Sequence, residues 1–176
     1  MEPEISAVEQ LSAAVEHICA THHVTPATIA DAEALAPIMR LADCEEVWAA
    51  AGLDPLDGLR VSLASSVSAW CWRIDGQPAC LFGVSAESIL SGTGIPWLLS
   101  SHLLPRQQLA FLRYGRVFIN TMLMLFPCLC NWVDARYLVS VKWLRWLGFT
   151  VFPAEPYGPF GMPFHRFELT RSSCHP

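Results

Sequence analysis

Apolar positions recur along this chain with two different periods. Ile5, Val8, Leu11, Val15 and Ile18 are spaced by threes and fours, with Glu9 and Glu16 outside the stripe. That spacing predicts an amphipathic helix, because residues three and four apart share a helical face. The stretch Thr21 to Val24 breaks it, and a short extended piece follows over Val24 to Thr28. A second helix starts near Asp31, where Thr28 and Asp31 fit the Ser/Thr-x-x-acid capping pattern. Its apolar face holds Leu35, Ile38, Ala42 and Val47, and Pro37 inside it should kink it. Gly52 closes this helix, and Asp54-Pro55 opens a third, short one through Leu59 and Leu63.

The period then falls to two. Ser68 to Ile74 alternates, with Trp70, Trp72 and Ile74 on one face, and Gln77 to Val84 follows. Asp75-Gly76 between these runs is a hairpin signal, since a type I′ turn needs positive φ twice. Ser91 to Gly94 is a turn, and Pro96 to Leu99 a strand. Pro105 marks the start of a long helix with Phe111, Gly115, Phe118, Met122 and Leu125 on its buried stripe, ending at Pro127. Leu129 to Ala135 reads as a buried strand, and Val139 to Leu147 as a helix stopped by Gly148. Thr150 to Phe152 and Phe164 to Leu169 are the last strands, joined by a Pro/Gly-rich loop from Pro153 to Pro163. This order predicts a mixed α/β (α+β) fold: a largely antiparallel central sheet with helices on both faces and an extra N-terminal helix.

Composition narrows the classes. Hydrophobic residues are 53% and charged residues 15% of the 176, the opposite of a disordered chain. A formal net charge of −5 argues against direct nucleic-acid binding through phosphate neutralisation. Met1 to Pro3 has no basic n-region of a signal peptide. Val117 to Val133 is uncharged but holds Asn120, Thr121, Pro127 and Asn131, and is shorter than the ~20 residues a membrane span needs. The expectation is therefore no membrane span. The seven cysteines are odd in number. Cys128 and Cys130 share a strand face, but no second pair or nearby His completes a zinc set, so no metal is expected and the thiols read as reduced. No Walker loop, Ser-His-Asp spacing or His-Glu-x-x-His is present.

Two segments resemble the Gcn5-related N-acetyltransferase (GNAT) superfamily. Val24-Thr25-Pro26-Ala27-Thr28, followed by Asp31 to Pro37, looks like its opening. Asn131-Trp132-Val133-Asp134-Ala135-Arg136, continuing to Leu147-Gly148-Phe149, is similar to its closing motif. Trp143 to Phe149 with Glu155 to Gly161 further resembles a tailed-phage branch that includes internal virion and assembly proteins of short-tailed phages. The resemblance covers roughly residues 24–170, giving a GNAT-like domain over 23–176 and a separate N-terminal helix over 1–22.

The resemblance implies acetyl-CoA as cofactor, with its pyrophosphate on a Gly-rich loop at a helix N-terminus. Ser100 to Ala110 stands at that place without Gly-x-Gly, leaving His102 and Arg106 as candidate cofactor contacts; a plain surface arginine and an ordinary histidine are the alternatives. Alignment back from Gly148-Phe149 puts Tyr137 where many members carry Asn, Ser140 at the small position, and Leu144 where a Tyr often serves as general acid. Leu144 cannot donate a proton, so Tyr137 or Tyr157 would have to replace it. Asp134 and Arg136 flank Ala135 at a strand end, able to hold a substrate amine or a phosphate, or else to form an ion pair or helix cap. The candidate catalytic residues are thus Asp134 and Tyr137, and the candidate cofactor-binding residues His102, Arg106, Arg136 and Ser140. Lys142 and Arg145 beside Trp143 and Trp146 offer a partner face, or solvated cations over core tryptophans.

These departures favour a phage-encoded protein with a degenerate acyl-CoA site. It would act through protein contacts in virion assembly or as an internal virion component, in the host cytoplasm or the virion. The alternatives are an active acyl-CoA-dependent N-acyltransferase on a host protein or small amine, and an inhibitor of a host enzyme. A protein partner is expected, and a homo-oligomer is left open. Surface apolarity should show at the N-terminal stripe, the Trp143/Trp146 helix and the Phe160 to Phe164 loop.

Overall fold

A computed structural model describes residues 6–88 and 91–171. Ile5 of the expected first helix and Cys174 lie outside them. The first helix, α1 (Ala7–His22), is closed at its start by a capping box between Ser6 and Glu9 and ends on His23 in the left-handed conformation. It therefore runs past Thr21. Strand β1 (Val24–Pro26) follows. Thr28 and Asp31 form the anticipated capping box, with Thr28 N donating to Asp31 Oδ2 at 2.9 Å, at the start of α2 (Ile29–Leu35).

The expected single kinked helix is two helices. Around Pro37 the chain makes a short 3-10 turn, Ala36–Ile38, then goes extended at Met39 and bridges to Ser101. Helix α3 (Leu41–Ala51) starts after that break, and α4 (Pro55–Ser65) follows with Asp54 as N-cap. Apolar spacing continued across the break because both helices turn the same kind of face to the same sheet.

Strands β2 (Ser66–Ile74) and β3 (Gln77–Ala86) form the predicted hairpin, with Asp75 at φ 51° and Gly76 at φ 79°. Strand β4 (Thr93–Ser100) leads through a 3-10 turn, Leu104–Gln107, into α5 (Gln108–Leu125). The apolar run divides at Pro127 as anticipated, since β5 is Cys128–Asp134. Helix α6 (Leu138–Leu147) ends on Gly148 at φ 104°. The final hairpin differs from expectation: β6 (Thr150–Tyr157) and β7 (Met162–Thr170) absorb most of the Pro/Gly-rich segment, leaving a turn over 158–161. Pro153 and Pro156 are tolerated because β6 is a sheet edge, where a missing N–H costs no ladder bond.

The seven strands form one sheet in the order β1-β2-β3-β4-β5-β7-β6, antiparallel except between β4 and β5. One core joins the sheet to α1, α5 and α6 through Ile18, Trp72, Phe82, Phe118, Met122, Val141 and Leu144. The other joins it to α2 and α4 through Leu35, Leu59, Cys71, Leu81 and Leu99. Among the described residues no helix is long and apolar enough to cross a membrane, no His/Cys/Asp/Glu group could hold a metal, and the cysteines are free. Of the expected apolar surfaces, Trp146 and Phe160 are exposed, Phe164 is buried, and Ile18 of the N-terminal stripe lies in the core.

Candidate active site

The parallel strands β4 and β5 pair only at Thr93 with Cys128 and Gly94 with Leu129. Beyond that they part. Pro96 has no N–H to offer, and its carbonyl instead accepts from Asn131 Nδ2 at 2.9 Å. Asn131 Oδ1 in turn accepts from Trp132 N at 2.8 Å. One carboxamide thus takes over two backbone hydrogen bonds and wedges the strands open. The gap continues as a cavity of about 520 Å³ lined from both faces of the sheet.

Helix α3 spans the open end. The N-cap Arg40 and the helical Asp43 and Glu46 are three apart, and all line the cavity. Asp43 is buried and anchors the helix to the end of β4: it accepts from Ser100 N at 2.8 Å and Ser100 Oγ at 2.7 Å, and from Arg40 Nη2 at 2.7 Å. Glu46 reaches the end of β5, where its Oε1 accepts from Asp134 N at 3.2 Å. Asp43 is saturated, whereas Glu46 accepts that one bond among the described residues. Burial pushes the Glu46 carboxyl up to about 7, against the pull of the Asp134 N–H, with the Asp43 and Asp134 charges adding to the rise. A carboxyl of that strength is part-ionised near neutral pH and can both accept and return a proton.

The α5–α6 side is built differently. Phe111 and Trp143 stack with ring centroids 5.1 Å apart, and Trp143, Leu144, Leu147 and Gly115 line the cavity with them. Trp143 Nε1 is buried without a hydrogen-bond partner among the described residues. Five backbone donors between β4 and α5 are already bonded. Ser101 N goes to Ala79 O, Leu103 N to Ser101 Oγ, Leu104 N to Ser101 O, Arg106 N to Leu103 O and Gln108 N to Pro105 O. Pro105 has none.

The expected site residues fall into three places. Ser140 lines the cavity. Asp134, Arg136 and Tyr137 cluster beside α3: Arg136 Nε lies 3.0 Å from both Asp134 oxygens and Nη2 lies 2.5 Å from Oδ2, an ion pair with a fully buried carboxylate. That pair holds the Arg136 guanidinium above its usual range. Tyr137 donates its hydroxyl to Glu45, and burial together with that bond pushes the phenol up to about 12. His102 and Arg106 are exposed away from these groups, His102 near Ile38 O at 3.4 Å and Arg106 3.7 Å from Asp75. Tyr157 lines the cavity and Tyr137 is not in its wall. Glu46 and Asn131 went unassigned from sequence. Glu46 sits in the acidic run Asp43-Cys44-Glu45-Glu46, which reads as a solvated helix face until the fold buries it.

Order β1-β2-β3-β4-β5-β7-β6, with one parallel pair that splays after two residues, decides the fold. It is a GNAT acetyltransferase fold. Solved structures agree over most of the chain: a GNAT-family acetyltransferase from Streptococcus pneumoniae has 13% identity and a TM-score of 0.57, covering 84% of this chain and 98% of that one. A ribosomal-protein-alanine N-acetyltransferase from Brucella melitensis has 15% identity and a TM-score of 0.59, covering 84% and 99%. An aminoglycoside acetyltransferase in complex with coenzyme A has 15% identity and a TM-score of 0.61, covering 84% and 94%. No family model and no curated protein matches the sequence. The GNAT likeness is thus one of fold, and activity has to be argued from the cavity.

Proposed function

We propose that the protein is an acyl-CoA-dependent N-acyltransferase in which Glu46 is the general base. The observation that carries this reading is a carboxyl pushed up to about 7, lining a cavity that crosses the sheet between β4 and β5. The carboxylates on α3 favour a cationic amine as acceptor. Glu46 takes a proton from the ammonium group, freeing the nitrogen lone pair. When bound, an acyl thioester supplies the activated carbonyl. A C–N bond forms, a C–S bond breaks, and the second proton lost by nitrogen ends on the leaving sulfur. With Leu144 at the position of the usual acid, Tyr157 is the phenol in the cavity wall able to pass that proton on. Asp43 and Arg40 are positioning residues that hold α3 across the gap.

Free-thiol release from acetyl-CoA, measured against a panel of peptides and small amines, tests this reading. Release that depends on the amine, and that falls at least a hundredfold in Glu46→Gln, is expected. Equal release by both proteins would overturn it.

A second reading has its own support in the loop before α5. Its five bonded N–H groups and the missing Gly-x-Gly suit a degenerate coenzyme site; on this reading the protein would be phage-encoded and act by contact in virion assembly or inside the virion. The exposed stacked pair Trp48 and Phe160, with centroids 5.3 Å apart, offers such a contact surface. On this reading the protein is found in purified virions or assembly intermediates by mass spectrometry, and its deletion lowers particle yield. Absence from both, with unchanged yield, would contradict it.

A further inference from the structure

We infer that the α5–α6 side of the cavity receives a medium-chain acyl group, hexanoyl to decanoyl, rather than acetyl. The inference rests on the acyl-transfer reading and adds the donor class. Three observations carry it.

First, the space lies inside the core. Trp72 and Phe82 from the sheet and Phe118 and Met122 from α5 are each at most 5% exposed, yet all line the cavity. Protein interiors are close-packed, so room beside such residues is room for something apolar. Second, the volume is large. An engineered apolar cavity of about 150 Å³ admits benzene, and this one is about 520 Å³. If a methylene takes about the ~30 Å³ of a liquid water, eight carbons fill roughly half of it. The remainder is left for the thiol arm of the carrier and for the acceptor at the Glu46 end, whereas an acetyl group would leave most of the space empty. Third, the wall holds an unused donor. Trp143 Nε1 is buried, has no partner among the described residues, and lies among hydrocarbon groups. A ligand that is apolar along its length and carries one carbonyl oxygen satisfies it. Fatty acyl thioesters have that chemistry.

Gly115 lines the α5–α6 side of the cavity beside Leu147 and Trp143. A Cβ there would lie 3.5 Å from Leu147 Cδ2 and 3.6 Å from Trp143 Cζ2, ordinary contact, while a larger side chain would enter the passage.

The test is the dissociation constant of the full chain for acetyl-, butyryl-, hexanoyl- and octanoyl-CoA, and for the same four acyl groups on N-acetylcysteamine. Calorimetry reads it without turnover. Affinity should rise about fourfold per added methylene until the chain fills the space. Gly115→Leu should move that limit to a shorter chain. Gly115→Ala, which fits the backbone and the gap, should move it less and guards against misfolding of the larger variant. Equal affinity for acetyl and octanoyl groups on both carriers would overturn the inference. Chain-dependent binding with no transfer to any amine would contradict the proposed function and leave this inference standing. Transfer without chain dependence would do the reverse.

Discussion

The two ends of the cavity use opposite chemistry. At the α3 end, Asp43 holds four donors, Ser100 N and Oγ and Arg40 Nε and Nη2, and fixes the helix, so that Glu46 sits between the ends of β4 and β5. At the α5 end the wall is aromatic and aliphatic, and five N–H groups of the segment leading into α5 are already bonded within the protein. On the proposed function, proton handling is concentrated at one end. At the other, grip has to come from buried hydrocarbon and not from fixed charge. On the proposed function, the acceptor half of the site would rest on buried carboxylates and the donor half on apolar packing.

The sharpest way to break this contrast is at Glu46. Glu46→Gln keeps the acceptor for the Asp134 N–H but cannot take a proton, so kcat/KM should fall about 10²–10⁴-fold with donor affinity unchanged. Next is Asp43→Ala, which strands Arg40 and both Ser100 donors. It should cost about 3 kcal/mol in urea denaturation.

A smaller effect separates charge from packing at the same end. The folded chain holds the Glu46 proton up to about 7, while the unfolded chain releases it near 4.5. Between those values the folded state binds more protons, so this group's contribution is full below 4.5 and is lost as pH rises through 7. The loss is about 2–3 kcal/mol and should vanish in Glu46→Gln, as denaturation at pH 5 and pH 8 will read. Smallest is Arg106→Ala at the other end. Arg106 is 63% exposed and its partner Asp75 84%, so coenzyme affinity should change less than twofold and stability by under about 0.5 kcal/mol. A tenfold loss of affinity would put a phosphate contact back into the loop and break the contrast.

Much of the frame was legible from local signals. Asp75-Gly76 required the turn it makes, Pro127 divided helix from strand, and Thr28 with Asp31 marked a helix start. Asp134 and Arg136, two apart at a strand end, form the ion pair that was one of their two readings. What was hidden depended on non-local geometry. The break at Pro37 lay under continuous apolar spacing, because α2 and α3 both face the sheet. The length of β6 was hidden by prolines that only an edge strand accepts. Glu46 went unassigned because its burial arises from α3 lying across strand ends 54 and 88 residues further along the chain, at Ser100 and Asp134. Asn131 gave no signal of its own; its role follows from Pro96 standing opposite it.

The most direct test of the proton-handling claim is the rate of acyl transfer to an amine from pH 5.5 to 9, in the native protein and in Glu46→Gln. The account predicts that kcat/KM of the native protein rises through an inflection near 7, and that the variant is slow with that inflection gone. The same profile and the same rate in both proteins would contradict it.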